Sequence, residues 1–187
     1  MTYQLPEAFI PFVAFWCLLF TLAYFALFRF LSTPDNQTEP KDNKKVVLLQ
    51  HAEYASHFTS FSHAVISFAW SLTILLTVGL RELGSNLPIE THLVYFSLGY
   101  FVMDSTLGFV FAYNDKPTHI HHIAVVIALA YVVFKGHYAN SIVSALCVAE
   151  CSNPLLILRK IFMLHKRTKN LVFPTGLAFS SSFIITR

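Results

Sequence analysis

The chain has 187 residues, of which 55% are hydrophobic and 12% charged, and its mean hydropathy is +0.57. Soluble domains run near about 45–50% apolar and about 25% charged, so a water-soluble single core of this length is excluded. The net charge of +3 comes from Lys and Arg grouped between apolar runs, a mark of membrane topology that speaks against a nucleic-acid partner. The 19 Phe, 8 Tyr and 2 Trp lie in long uncharged runs without strand alternation, which excludes a β-barrel. An all-α polytopic membrane protein of about six transmembrane helices is predicted.

Six apolar runs follow one another, each near the roughly 20 residues a helix needs to cross about 30 Å of hydrocarbon. The first, 9–30, lacks a basic leader and a small-residue cleavage site, so it is expected to stay in the mature protein as a span. Residues 31–58 form the one long connection; they begin as a polar loop with Pro34, Asp35, Asn36 and Pro40 and recover helical character near Val46. Spans follow at 59–80, 91–112, 119–134, 138–158 and from 171 to the end. The short links Asn114–Thr118 and Lys135–His137 leave room for tight antiparallel hairpins alone. Cys17, Cys147 and Cys151 all lie inside apolar stretches and read as packing residues, not as a disulfide framework.

Counted by alternate loops, ten basic residues fall on one side (Arg29, Lys41, Lys44, Lys45, Lys116, Arg159, Lys160, Lys166, Arg167, Lys169) and three on the other (Arg81, Lys135, Arg187). The positive-inside bias predicts a lumenal N-terminus, with loops one, three and five in the cytosol. The sequon Asn36-Gln37-Thr38 would then face the cytosol and stay unmodified.

Ionisable groups inside a span cost on the order of 2.5–3.5 kcal/mol on insertion scales and usually face the bundle interior. Ser56, Ser60, His63, Ser67 and Ser71 recur every three or four residues on one helical face. Ser97, Tyr100, Asp104 and Gly108 make a second stripe, His119, His121 and His122 open the fourth span, and Glu150, Cys151 and Asn153 precede Pro154 in the fifth. At 1.5 Å per residue, His63, Asp104, the His121–His122 pair and Glu150 all lie within about 15 Å of the cytosolic boundary. A shared polar pocket is expected there. Ser67 and Ser71 read as helix-packing surface, His119 as interfacial, and His51, His57, His92, His137 and His165 as loop or boundary residues.

Nine His are present, yet His51, His57 and His63 are six apart and no HxxxH box exists, so a binuclear metal site is not expected. Acid–base or nucleophilic chemistry fits better: a carboxylate, Asp104 or Glu150, orients His121 or His122 and makes it more basic. Adjacent residues diverge by about 100° around a helix, so one His is expected to face the substrate while its neighbour orients or packs.

Ser62-His63-Ala64, Gly99-Tyr100-Phe101 with Asp104, His121-His122, and Glu150-Cys-Ser-Asn153-Pro154-Leu155-Leu156, in that order on four helices, resemble the TLC-domain family, relatives of the ceramide synthases. The stretch around Glu150 is most similar to the small members, of the TLC-domain-containing protein 5 type. The resemblance implies residues 57–187 as a TLC-like domain preceded by an extra span and loop at 1–56. It implies a six-helix barrel around a lipid-accessible cavity, in the endoplasmic reticulum or another endomembrane. It also implies a chain shorter than its relatives, with an unclosed barrel. Ceramide synthases carry two Asp downstream of the His pair where this chain has Glu150 and Asn153, which argues against N-acylation of a sphingoid base. Two functions remain open. In one, His121 and His122 are base or nucleophile, Asp104 orients them, and acyl-CoA is the co-substrate. In the other, the same cavity binds membrane lipids without chemistry. In both, His63, Tyr100, Glu150 and Asn153 are substrate-binding residues, and no cofactor or metal is expected.

Overall fold

The computed structural model describes Glu7 and residues 9–31, 41–81, 84–164 and 170–186. Six helices follow in order: α1 (Phe9–Leu31), α2 (Lys41–Val78), α3 (Pro88–Phe111), α4 (Lys116–Lys135), α5 (Ala139–Leu164) and α6 (Val172–Thr186). Among the described residues there is no strand, only an isolated bridge between Ser85 and His137. Five helices are long and apolar enough to cross a membrane. The sixth apolar run forms α6, whose 15 residues are apolar but shorter than a full crossing. The protein is therefore a polytopic helical membrane protein.

One boundary departs from expectation. Helix α2 begins at Lys41, five residues before the expected return of helical character near Val46, and it runs unbroken into the apolar run at 59, so residue 56 lies inside α2. Residues 44–53 include Lys, Leu, Gln, Ala and Glu, good helix formers whatever their polarity. The sequon at Asn36 lies outside the described residues.

Helix α3 is the most enclosed element. It packs against α1, α4, α2 and α5; α2 also lies along α5, and α6 rests on α5. Gly99 allows the α1 contact: a Cβ there would stand 2.6 Å from Trp16 Cβ and 2.9 Å from the Cys17 amide nitrogen. The outer faces carry exposed Leu22, Leu76, Phe109 and Ile127, as a lipid-facing surface should.

At one end of the bundle the α2–α3 and α4–α5 turns are clasped together. Glu90 is fully buried, and both of its carboxylate oxygens lie 2.6 Å from Arg81 Nη2. It also accepts from Asn140 Nδ2 at 2.9 Å and from the Leu87 amide at 2.8 Å, while the Arg81 amide donates to Asn140 Oδ1. Asn86 joins the two helices of the second hairpin: its Nδ2 donates to the Val132 carbonyl in α4, and its Oδ1 accepts from the Ala139 amide opening α5. Gly136, at φ +68°, supplies the left-handed turn between them.

Candidate functional site

At the opposite end, α2, α3, α4 and α5 enclose a cavity of about 410 Å³, within the usual range for small-ligand sites. All seven residues singled out from sequence line it: His63, Tyr100, Asp104, His121, His122, Glu150 and Asn153.

Asp104 is the best-held of them. Helix α3 ends with Ala112 at φ 53°, and this left-handed turn folds Tyr113 and Asn114 back along the helix. Gly108 leaves the room, because a Cβ there would collide with the Asn114 side chain. Tyr113 OH then donates to Asp104 Oδ1 at 3.3 Å and Asn114 Nδ2 to Oδ2 at 3.4 Å; Ser56 Oγ, from α2, donates to Oδ1 at 3.0 Å. His122 Nδ1 lies 3.1 Å from Oδ2, at ion-pair distance though not aligned as a hydrogen bond. Four groups from three parts of the chain thus converge on one buried carboxylate. Such convergence satisfies a charge that hydrocarbon would otherwise penalise.

A second carboxylate–imidazole pair lies on the same cavity. Glu150 Oε1 is 3.9 Å from His63 Nδ1, and Glu150 Oε2 accepts from Asn153 Nδ2 at 2.9 Å. Pro154 has no N–H for the Glu150 carbonyl, which loosens α5 one turn beyond this residue. His63 Nε2 is within hydrogen-bond distance of Ser67 Oγ (3.0 Å) and Ser97 Oγ (3.3 Å). Its ring stacks on Tyr100 with centroids 4.0 Å apart, and Tyr100 OH donates to Ser60 Oγ at 2.7 Å. The Phe101 ring meets both imidazoles edge-on, His63 at 5.4 Å and His122 at 5.3 Å, and so spaces the two pairs.

Both members of the adjacent His pair line the cavity, which is wide enough to take side chains that diverge around α4. His122 is the one against a carboxylate; His121 is exposed, its ring 5.7 Å from that of His122. Ser67, expected to be packing surface alone, is also a polar partner of His63. His57, expected to be a plain boundary residue, lines the cavity mouth with Thr118 and Lys160, 3.6 Å from Glu53 Oε1. Tyr113 and Asn114 were not singled out at all. Their signal is spacing: nine and ten residues after an intramembrane Asp, at a helix end, they can return to it only through a left-handed turn. Away from the mouth the walls are apolar, with Val125, Leu129, Ile142 and Leu146.

A family model for the TLC domain matches residues 53–187, most of the chain. The chain belongs to the TLC-domain family. This TLC-domain protein carries both carboxylate–imidazole pairs within the matched segment, and its family is linked to lipid metabolism. No solved structure matches the chain.

Proposed function

We propose that this TLC-domain protein binds or modifies an acyl lipid in the cavity between α2 and α5, near the cytosolic face of an endomembrane, and so affects membrane lipid composition. The observation that carries this is the make-up of the cavity: two carboxylate–imidazole pairs line it together with apolar side chains. A polar head and an acyl tail match those two kinds of lining.

The modifying form is an acyl transfer related to that of ceramide synthases. Asp104 faces His122 Nδ1, which leaves Nε2 as the free nitrogen able to take a proton from an attacking hydroxyl or amine. His121 is the adjacent base or nucleophile, acyl-CoA the donor, and His63, Tyr100, Glu150 and Asn153 hold the substrate. The stretch from Glu150 to Leu156 favours kinship with the small members, of the TLC-domain-containing protein 5 type. The ten-to-three division of basic residues supports a lumenal N-terminus and a cytosolic mouth, and the family points to the endoplasmic reticulum.

The test is lipidomics on cells lacking the protein, restored with wild type or with His122→Ala at equal abundance. Wild type is expected to restore lipid composition. A lipid profile indifferent to loss of the protein removes the proposal, and full restoration by His122→Ala removes its enzymatic form.

A further inference from the structure

The inner carboxylate–imidazole pair differs from the outer one in what its own neighbours leave open. His63 and Glu150 are 1% and 3% exposed, yet His63 Nδ1 and Glu150 Oε1 have no hydrogen bond among the described residues. These two atoms face each other at 3.9 Å, too far for a hydrogen bond of their own, and both residues line the cavity. The other polar atoms of the pair are taken. Asn153 Nδ2 holds Glu150 Oε2 at 2.9 Å, so Oε1 is the oxygen left to the cavity. The fully buried Ser67 and Ser97 meet His63 Nε2 at 3.0 and 3.3 Å, and the Tyr100 and Phe96 rings stack on the imidazole.

These neighbours decide which nitrogen of His63 carries the proton. With the proton on Nδ1, both serine hydroxyls can donate to Nε2, and the Nδ1–H dipole points at the Glu150 carboxylate. The other tautomer turns a lone pair on that carboxylate and offers two hydroxyls a single N–H. The Nδ1–H form is therefore favoured. A donor and an acceptor 3.9 Å apart, neither of them satisfied, match one oxygen atom that accepts from the first and donates to the second. A hydroxyl does both. An ester or ether oxygen only accepts, which leaves a buried carboxylate oxygen unpaired; an ammonium only donates and meets the Nδ1 proton head-on. We infer that the His63–Glu150 pair is a hydroxyl subsite, so that the lipid taken by this cavity carries a free hydroxyl group. This rests on the lipid function proposed above, in either of its forms, and names its substrate class. Such a hydroxyl has two sources, the head of a neutral lipid or a hydroxylated acyl chain, and both present the same chemistry to the pair.

The test is competition binding to the full chain in nonionic detergent micelles, with all lipids at equal mole fraction. In one arm tritiated dioleoylglycerol is displaced by itself and by its deoxy, O-methyl and amino counterparts at the head carbon. In the other, tritiated methyl ricinoleate, whose chain carries the hydroxyl, is displaced by itself, by methyl oleate and by its O-methyl ether. In at least one arm the hydroxyl form is expected to bind about tenfold or more tighter than every counterpart, since each loses a hydrogen bond and leaves a buried group unpaired. The arm that shows it names the source. In Glu150→Gln the amide oxygen stays with Asn153 and the amide NH2 turns to His63, so both sides of the gap donate and the advantage of the hydroxyl over the O-methyl form should fall below about threefold. Equal binding of hydroxyl, deoxy and O-methyl forms in both arms, or tightest binding by the amine, overturns the subsite and leaves the lipid function standing. A hydroxyl preference that Glu150→Gln leaves intact does the same. No saturable binding of any of these lipids, by protein that still melts cooperatively, overturns both. The wild-type competition decides alone if Glu150→Gln does not accumulate.

Discussion

Asp104→Asn separates charge from shape at the centre of the site. The amide keeps an oxygen for Ser56 and Tyr113, the two donors to Oδ1, and deletes the negative charge that faces His122. In the enzymatic form proposed above His122 takes a proton, and the imidazolium then forms 3.1 Å from that charge. At an effective dielectric of about 20 the attraction is about 5 kcal/mol, and each 1.36 kcal/mol of barrier is about tenfold in rate. Solvent near the mouth trims this, so the expected loss is on the order of 10³ to 10⁴ in rate. That is enough to abolish lipid restoration in cells lacking the protein. His122→Ala should lose as much, and the double variant little more, as for residues acting as one unit. The assay is lipidomics beside immunoblotting for protein level, with His137→Ala, at the clasped end, as the control. If Asp104→Asn and His122→Ala both accumulate and both restore the lipids, catalysis by this pair is refuted.

Three further outcomes follow from the packing. Glu90→Ala removes the fully buried acceptor of three donor groups, one of them the partly exposed Arg81, and should cost roughly 3 kcal/mol, rising to about 5 if Arg81 is left unpaired. For a chain of this size that lowers Tm by about 6–20 °C in a detergent-solubilised thermal melt; a shift of a degree or two would reduce the clasp to an ordinary surface pair. Gly99→Ala drives a Cβ into the α1 backbone and should cost about 1–3 kcal/mol in denaturant unfolding, whereas Gly84→Ala, whose nearest neighbour is Arg81 at 3.5 Å, should be near neutral. Asp115 caps α4 by accepting from Thr118, whose side chain and amide together hold its carboxyl below the usual carboxylate range. Its folded value is the lower one, so the cap is intact above the ordinary carboxylate range and lost as pH falls through the depressed value. Protection of the Thr118 amide should persist to below about pH 4 and then fall, and Asp115→Ala should lower it at every pH above that range but not below it.

The spans were legible because burial in hydrocarbon imposes a length and forbids charge, and 9–30 and 119–134 reappear within three residues as α1 and α4. The first turn of α2 was not, since the same criterion is blind to a helix that opens on the polar run 41–45. Asp104, Glu150 and His122 stood out for the converse reason: an ionisable group in a span is expensive enough to need a cause. Tyr113 and Asn114 did not, because polar residues in a turn are ordinary, and their return to Asp104 depends on the left-handed Ala112 and the space at Gly108. Arg81 and Glu90 were hidden similarly. Charges at a span boundary look solvated until a second turn, carrying Asn140, is seen to close over them.

Helix α2 also serves as a ruler. Its 38 residues extend about 57 Å, nearly twice the thickness of the hydrocarbon layer. If Val78 marks one boundary, the other falls about 30 Å along, near Phe58 and within a turn of Ser56. The turns before it then carry the same continuous helix past the hydrocarbon layer. The Asp104 carboxylate, bonded to Ser56, sits where water gives way to hydrocarbon, and His63 lies about 10 Å further in. The Asp104–His122 pair is thus the nearer of the two to that boundary and the His63–Glu150 pair the deeper.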